Sequence, residues 1–491
     1  MALQVVLALD AGTTSVRTLA VDSLGNILTT SKEEFPQHYP EPGLIEHDPE
    51  EIWSAAASTL KNVSREIEEM GFDISAIGIT NQRETSIIWD PVSGKPLQNG
   101  IVWQDRRTTE RCQELEKQNH LQQIRSKTGL VLDPYFSSTK FEWMIKSLSS
   151  KRNFLLGTVD SWLIWKLTDG KVHASEPSNA SRTMLFDINE GSWSEDLCDL
   201  FSVPIESLPK IHPTAGHFGS TSKDGPLGKE IPIMSAIGDQ QSSLFGQACF
   251  NSGDTKNTYG TGSFMLTNAG ESPPAINDGL LTTVAWQLNS SSPLTYAIEG
   301  SIFSTGSTIQ WLRDELGIID NSSDLEPLAL SCVDNGGVVI VPAFSGLGSP
   351  WWDPDARGII AGLTRGVGRA ELARATIESM AFQTRDILET LKKNAMPTPK
   401  KMKVDGGAAV MDSLMTCLAN QLKIPVIRSS NTESTALGAA YLAGLAGGVW
   451  ETVKEIEDLW LGDEPFFPDS NDTTADEMYQ MWLGVLGKSR R

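Results

Sequence analysis

Strand patterns and one helix pattern alternate along the first part of the chain. The helix pattern covers residues 48–70, where Asp48 precedes Pro49 and apolar residues then recur at helical spacing. A capping residue, a proline at the first position and acidic residues in the first turn are typical of a helix start. Short apolar runs bounded by turn residues predict strands at residues 4–10, 16–22, 26–35 and 74–80.

The second part of the chain repeats this order. A long helix is predicted at residues 368–391 and a final amphipathic helix at residues 475–486. An internal repeat of strand, turn, strands, helix and strand implies two similar α/β domains. We place the boundary near the end of a helix predicted around residues 240–250, so that the domains comprise residues 1–248 and residues 249–491. Strands of the second part are predicted at residues 254–259, 264–267, 281–287, 294–299 and 401–405.

Composition and charge narrow the class of protein. The chain of 491 residues carries 62 acidic and 40 basic residues, a formal net charge of -22. This charge disfavours nucleic acid and anionic lipid as partners, but it does not oppose an anionic ligand held by local N–H groups. The 5 cysteines include no C-x-x-C pair, and the N-terminus lacks the basic region of a secretory signal. We therefore expect structural thiols in a soluble, cytoplasmic protein without stable membrane insertion.

A polar turn separates the first two predicted strands. Residues 10–15 read DAGTTS, so that Gly12 permits a tight turn and three hydroxyl side chains follow it. Exposed N–H groups in such a turn form a concave anion site. Asp10, at the end of a strand, is suited to hold Mg²⁺ through water. A plain hairpin with a solvated carboxylate would leave the same pattern.

A second polar turn lies at the matching place of the repeat. Residues 258–263 read TYGTGS, and residues 404–408 read VDGGA, where two glycines leave room for a ribose or a flat ring. Two polar glycine turns at equivalent points of two repeats are poorly explained as coincidental hairpins. They are well explained as two jaws on a triphosphate. The chain contains no G-x-x-x-x-G-K-[ST] loop, no H-R-D loop, no G-x-S-x-G elbow and no zinc-ligand spacing.

These three turns resemble the phosphate and adenosine motifs of the actin/hexokinase/Hsp70 ATPase superfamily. Within it the chain resembles the FGGY carbohydrate kinases, whose two signatures are similar to residues 135–144 and to residues 358–378. The resemblance extends from Asp10 to about Ala443. It implies two similar ribonuclease H-like domains of the actin type, each with a central mixed sheet, and a cleft between them.

Further motifs are most similar to the members of this family that phosphorylate glycerol. The resemblance implies in-line transfer from ATP, with Mg²⁺, to give sn-glycerol 3-phosphate and ADP, the first step of glycerol catabolism. It also implies a homodimer or homotetramer. The motifs are residues 80–85 (TNQRET), 102–107 (VWQDRR), 238–241 (GDQQ), 300–303 (GSIF) and 309–313 (IQWLR).

Site residues follow from this resemblance position by position. Asp239 is implied as the general base, while Asp10 organises Mg²⁺ and Arg17 supplies charge near the γ-phosphate. The acceptor hydroxyls are assigned to Arg83, Glu84, Tyr135, Asp239 and Gln240, and the apolar wall to Trp103 and Phe264. The ATP phosphates are assigned to Thr13, Thr14, Ser15, Arg17 and Thr261, and the adenosine pocket to Gly306, Gln310, Gly407 and Met411.

Two positions depart from the family's pattern. Met411 stands where these kinases commonly have an Asn near the adenine, so we expect packing alone to hold the base and selectivity for ATP to be weakened. Residues 219–230 are similar to a loop that binds the inhibitor fructose 1,6-bisphosphate in some bacterial members. Glu230 stands there in place of an arginine, which predicts that this feedback is absent or different.

Two other functions remain open from the sequence. A kinase for a larger polyol or ketose, such as erythritol or xylulose, would need more room than Trp103 and Phe264 leave. An ATP-binding scaffold with a dead site would be expected to have lost Asp10, Arg83 or Asp239, and all three are present.

Overall fold

A computed structural model describes residues 3–148, 153–275 and 279–490 of the chain. Two mixed sheets organise these residues. Short 3₁₀ helices lie at residues 205–207, 322–324 and 407–410.

The first half of the chain contains thirteen strands and eight α-helices in the described residues. The strands are β1 (Leu3–Ala11), β2 (Ser15–Asp22), β3 (Ile27–Glu34), β4 (Glu46–His47), β5 (Phe72–Asn81), β6 (Ile87–Trp89), β7 (Gly100–Ile101), β8 (Leu155–Gly157), β9 (Ala174–Ser175), β10 (Phe186–Asp187), β11 (Ser192–Trp193), β12 (Lys210–Ile211) and β13 (Ile233–Gly238). The helices are α1 (Pro49–Glu69), α2 (Thr109–Lys117), α3 (Leu121–Thr128), α4 (Ser137–Ser147), α5 (Val159–Leu167), α6 (Pro177–Ala180), α7 (Glu195–Leu200) and α8 (Asp239–Gly246).

The second half begins with a hairpin and ends with helices. Its strands are β14 (Thr255–Tyr259), β15 (Ser263–Gly270), β16 (Leu281–Trp286), β17 (Thr295–Ile302), β18 (Val339–Val341), β19 (Ile359–Ala361), β20 (Met402–Asp405) and β21 (Val426–Arg428). Its helices are α9 (Gly306–Asp314), α10 (Leu325–Ala329), α11 (Arg369–Lys393), α12 (Asp412–Leu422), α13 (Ser434–Gly447), α14 (Val453–Leu459) and α15 (Ala475–Ser489).

The two large sheets share an order of five strands when one is read in the opposite direction, and the second sheet has one further strand, β16, at its edge. The first is ordered β13-β5-β1-β2-β3 and the second β16-β17-β15-β14-β20-β21. In each, an antiparallel hairpin (β1–β2 or β14–β15) is flanked on one side by two parallel strands, β5 and β13 in the first sheet and β20 and β21 in the second. The predicted repeat of two α/β domains, each with a central mixed sheet, is confirmed.

Local signals explain why α1 forms where it was predicted. The Asp48 side chain accepts a hydrogen bond from the N–H of Glu50 at 2.8 Å, and Pro49 occupies the first helical position. Its apolar face packs against β2 and β3. The prediction for α8 ran too far, because the helix ends at Gly246 and Ala248 then adopts a left-handed φ of 49°.

Helices α8 and α13 connect the two halves. Helix α8 follows the last strand of the first sheet but contacts β14 and β15 of the second, whereas α13, from the second half, packs on β1, β5 and β13. A shared apolar cluster, which includes Val6, Phe245 and Ala440, lies between the sheets. The boundary between residues 248 and 249 stays a prediction.

Substitution of Gly438 by alanine is expected to lower the free energy of unfolding by about 3 kcal/mol. A Cβ at Gly438 would lie 2.0 Å from the carbonyl oxygen of Ser242, and one at Gly246 would lie 2.0 Å from that of Ser434, so α8 and α13 touch through backbone. Urea denaturation measures the change. Gly484→Ala is the matched control, because a Cβ on this exposed residue of α15 meets nothing within 4 Å. It is expected to stabilise the protein by about 0.5–1 kcal/mol, and equal losses in both variants would contradict the close helix contact.

The described helices and the cysteines bear on membrane insertion and on disulfide formation. No helix in the described ranges has the length and apolar character needed to cross a bilayer. The 5 cysteines are free thiols, and Cys112, Cys198 and Cys249 are buried.

Candidate active site

Arg83 occupies the centre of the predicted acceptor site. It follows the end of β5 and its side chain is buried. Nη1 donates to Glu299 Oε2 at 2.6 Å and Nη2 donates to Glu299 Oε1 at 3.1 Å, which is a bidentate pair. Nη2 also donates to the Tyr135 hydroxyl at 3.3 Å, and Nε lies 3.4 Å from Asp239 Oδ1. The structure therefore brings three predicted residues, Arg83, Tyr135 and Asp239, into one site.

A second buried arginine completes the charge cluster. Arg182 Nε donates to Glu84 Oε1 at 2.6 Å, and its Nη2 donates to Glu299 Oε1 at 3.1 Å. Glu84 has a positive φ of 62°, which is uncommon for a residue other than glycine and is typical of a constrained functional position. Sequence reasoning missed Arg182 and Glu299. A signal existed for Glu299, because it is an acidic residue inside the otherwise uncharged strand β17.

Three aromatic rings form one wall of this site. The Trp103 ring centroid lies 5.6 Å from that of Tyr135 and 6.4 Å from that of Phe264. The guanidinium carbon of Arg83 lies 6.0 Å from the Phe264 ring centroid. Because Phe264 lies on β15 and the other residues lie in the first half, both halves enclose the acceptor site. Polar groups opposite an aromatic wall suit a small polyol, whose hydroxyls and CH edges need different partners.

Asp239 lies at the first position of α8, where the positive end of the helix favours a carboxylate. Its Oδ1 accepts a hydrogen bond from the N–H of Gln240 at 2.7 Å. Burial raises the pKa of Asp239 to about 6, with Glu84 and Asp10 adding to the effect, while Arg83 opposes it. A carboxylate with this pKa is mostly ionised at neutral pH and can accept a proton.

Gln240 is held by a lysine that sequence reasoning missed. The buried Lys256 donates from Nζ to Gln240 Oε1 at 2.6 Å and to Thr258 Oγ1 at 2.9 Å. Burial lowers the pKa of Lys256 to about 8, although Asp405 and Asp239 oppose that change. Lys256 therefore links the first residues of α8 to the strand that precedes the second polar turn.

The first polar turn, residues 10–15, connects β1 and β2 as predicted. The N–H of Gly12 donates to Ser15 O at 3.0 Å, which closes the turn. The Thr13 hydroxyl accepts a hydrogen bond from Trp103 Nε1 at 3.1 Å, so the turn lies directly beside the acceptor wall. Thr14 is exposed and Ser15 is half-buried.

Arg17 bridges the two halves beside this turn. Its Nη2 donates to Asp10 Oδ2 at 2.5 Å and its Nη1 donates to Glu433 Oε2 at 2.5 Å. Burial alone would lower the pKa of Arg17, but Asp10 and Glu433 raise it above its ordinary value. Arg17 therefore places a paired cation beside the first polar turn.

The start of α9, which includes the candidate adenosine residue Gly306, is hydrogen-bonded to the second polar turn. The N–H of Gly306 donates to Gly260 O at 3.1 Å, and that of Ser307 donates to Thr261 O at 3.0 Å. Gly406 has a φ of 92°, and a Cβ on it would lie 2.4 Å from Tyr259 O, so only glycine fits there. A Cβ on Gly407 would meet nothing within 4 Å, which leaves open space beside the backbone.

The remaining adenosine candidates differ in exposure. Gln310 is exposed on α9. Met411 is only 5% exposed and packs in the core of the second half. The position that we compared with an Asn therefore presents no polar side chain.

Asp10 is the candidate metal ligand. Its carboxylate is buried at the end of β1, beside the polar turn. Within the described ranges, no three His, Cys, Asp or Glu residues are grouped so as to hold a metal ion. This donor set fits Mg²⁺ that keeps water and phosphate oxygens as most of its ligands.

Known proteins are similar to this chain over almost its full length. Glycerol kinase 2 of Thermotoga maritima is 48% identical over 493 residues, which cover 99% of this chain and 98% of the relative. A glycerol kinase of Caldanaerobacter subterraneus subsp. tengcongensis is 49% identical over 495 residues, with 99% and 98% covered.

Solved structures agree with the fold. The crystal structure of Plasmodium falciparum glycerol kinase with ADP has a TM-score of 0.93 and 34% identity, covering 99% of this chain and 98% of that one. A xylulose kinase of Lactobacillus acidophilus has a TM-score of 0.89 with 99% and 98% covered, but at 22% identity it shows the fold alone.

The two halves also match two domains of one family. The N-terminal domain of the FGGY family of carbohydrate kinases matches residues 5–246, and the C-terminal domain of that family matches residues 255–447. Because both domains match in order and together cover most of the chain, this protein belongs to the FGGY family of carbohydrate kinases.

Proposed function

We propose that the protein transfers the γ-phosphoryl group of ATP to glycerol, forming sn-glycerol 3-phosphate and ADP. The observation that carries this proposal is the site in which Arg83 and Asp239 lie beside an aromatic wall. Trp103 Nε1 of that wall is hydrogen-bonded to Thr13 of the first polar turn. Full-length identity of 48% and 49% to relatives named glycerol kinase supports the choice of acceptor.

Asp239 is proposed as the general base. Phosphoryl transfer needs little covalent chemistry from the protein, so positioning and charge neutralisation dominate. The carboxylate accepts the proton of the attacking hydroxyl, while Arg83 and Glu84 orient the acceptor. The salt bridge from Arg83 Nε to Asp239 Oδ1, at 3.4 Å, supports this placement.

The two polar turns are proposed to bind the ATP phosphates. Thr13, Thr14 and Ser15 act from the first turn and Thr261 from the second, while Gly306, Gln310, Gly407 and Met411 line the adenosine pocket. Arg17 exchanges Asp10 or Glu433 for the γ-phosphate. Asp10 would hold Mg²⁺ through water, and the ion, when bound, neutralises charge on the phosphate oxygens.

An ADP-release assay with glycerol, dihydroxyacetone, erythritol and xylulose tests the proposed acceptor. Glycerol is expected to give the highest kcat/KM, because the wall formed by the Trp103, Tyr135 and Phe264 rings is proposed to limit the length of the acceptor chain. Faster turnover of xylulose would contradict the proposal. Tight glycerol binding without ADP release would instead favour the alternative of an ATP-binding scaffold with a dead site. Two further points stay predictions: feedback by fructose 1,6-bisphosphate that is absent or different because of Glu230, and a homodimer or homotetramer.

A further inference from the structure

Two glutamine side chains hold the carbonyl groups of the first polar turn. Gln82 Nε2 donates to Gly12 O at 3.1 Å, and Gln37 Nε2 donates to Thr13 O at 3.0 Å. The C=O and N–H of one planar trans peptide point in opposite directions. Fixing Gly12 O therefore aims the N–H of Thr13 the other way, and fixing Thr13 O does the same for the N–H of Thr14.

Those two N–H groups are available to a ligand. Within the described ranges, neither the N–H of Thr13 nor that of Thr14 donates to a protein acceptor. Successive N–H groups of a tight turn form an anion site when they point to the same side. The N–H groups of Thr13 and Thr14 do so only while their two peptides keep the orientation that the glutamines give them. What orients the two glutamines thus also decides how well the turn binds phosphate.

His47 lies between the two glutamines. Its Nε2 is 2.7 Å from Gln37 Oε1, and its Nδ1 is 3.3 Å from Gln82 Nε2. Gln82 Nε2 is a donor, so Nδ1 must accept; the neutral ring then carries its proton on Nε2 and donates to Gln37 Oε1. The imidazole thereby fixes which end of the Gln37 amide faces the turn. It holds the Gln82 amide together with Thr85, whose hydroxyl donates to Gln82 Oε1 at 2.8 Å.

The surroundings of His47 keep it in this state. The side chain is fully buried at the end of β4, and its ring packs edge-on against Phe35 with centroids 5.0 Å apart. Burial lowers the pKa of His47 to about 4, with His38 adding to the effect. The ring is therefore neutral at neutral pH, as its two hydrogen bonds require.

We propose that His47 is a positioning residue for nucleotide binding: through Gln82 and Gln37 it holds the first polar turn with the N–H groups of Thr13 and Thr14 aimed at the ATP phosphates. This inference rests on the proposed function of that turn. It assigns a role in phosphate binding to a fully buried residue that reaches the turn through two glutamines.

His47→Phe is the main test, because it removes both ring nitrogens and keeps the ring against Phe35. ADP binding, measured by calorimetry without an acceptor, is expected to weaken about tenfold, the size of the loss of one or two hydrogen bonds. The KM for ATP should rise by a similar factor, while the KM for glycerol stays within about twofold.

Two conservative variants separate positioning from mere stability. His47→Asn can keep an acceptor toward Gln82, and His47→Gln can keep a donor toward Gln37, so each is expected to recover part of the ADP affinity. Gln37→Leu, at a half-buried position, removes the hydrogen bond to Thr13 O and the acceptor of His47 Nε2, but it keeps the bond from Gln82 to Gly12 O. It is expected to weaken ADP binding about threefold. Its smaller structural change keeps the test valid if His47→Phe fails to fold.

Three results would overturn the inference: unchanged ADP affinity in His47→Phe or in Gln37→Leu, equal losses for ATP and glycerol, or losses that follow only the thermal stability of the variants. Calorimetry with ADP does not depend on the acceptor. A wild-type protein that binds ADP but does not turn over glycerol would therefore contradict the proposed acceptor while leaving the role of His47 measurable.

Discussion

Asp239→Asn is expected to lower kcat with glycerol by about 10²–10⁴-fold and to leave the KM for ATP nearly unchanged, because it removes the proton acceptor and nothing from the phosphate turns. The amide oxygen of Asn can still accept from the N–H of Gln240, so the start of α8 is preserved. An ADP-release assay gives kcat, and calorimetry with ADP shows whether the nucleotide site is intact.

Asp254→Asn is the matched control for this substitution. It makes the same chemical change at an exposed turn before β14, where the carboxylate accepts from Asn251. We expect less than about a twofold change in kcat, in line with ordinary surface substitutions. Near-normal kcat in Asp239→Asn would remove Asp239 from the role of general base.

The pH dependence provides an independent check of the same residue. Because the pKa of Asp239 is raised to about 6, protonation should remove the base as the pH falls through that value. The kcat/KM for glycerol is therefore expected to decline about tenfold for each pH unit below about 6. This acid limb should be missing from the residual activity of Asp239→Asn.

Glu299→Gln is expected to destabilise the protein by about 3–5 kcal/mol, because it leaves two buried guanidinium groups without their shared carboxylate. Arg83 and Arg182 both donate to Glu299, which is fully buried. The KM for glycerol should rise as well, since Arg83 loses the bidentate pair that orients it. Urea denaturation and steady-state kinetics measure the two effects.

Ser301→Ala is the control for Glu299→Gln. It removes only the hydroxyl that donates to Glu299 Oε1 at 3.0 Å and leaves both charge pairs in place. A loss of about 1 kcal/mol is expected. If Ser301→Ala and Glu299→Gln proved equally stable, the charge cluster would not be what holds Arg83.

Acid titration should reveal the same cluster. Burial favours the protonated form of Glu299, but Arg182 and Arg83 outweigh it and lower its pKa from 4.5 to about 2. A carboxylate with a lowered folded-state pKa stabilises the protein above its unfolded-state pKa, and this is lost as the pH falls toward the folded value. The stability difference between wild type and Glu299→Gln should therefore shrink below about pH 4.5.

Several parts of the fold are readable in the sequence because their causes are local. The capping residue, the proline and the apolar spacing of α1 lie within a few turns of each other, and the structure confirms the helix. The two polar glycine turns are likewise set by short apolar runs on either side, and both form hairpins. The aromatic and charged residues named for the acceptor site do come together, but it was their resemblance to family motifs, not a local pattern, that pointed to them.

The sequence by itself determined the repeated strand–turn–strand units, the polar turns that suit phosphate and the capped start of α1. In each of these, neighbouring residues decide the backbone conformation. Tertiary structure alone decided which distant charges meet. Arg83 and Glu299 are 216 positions apart, and Arg17 and Glu433 are 416 apart. Tertiary structure also decided that α8 packs on the second sheet and α13 on the first, and that His47 reaches the first polar turn. These contacts depend on the packing of whole elements, and a buried charge or histidine can be recognised as functional only when its partners are known.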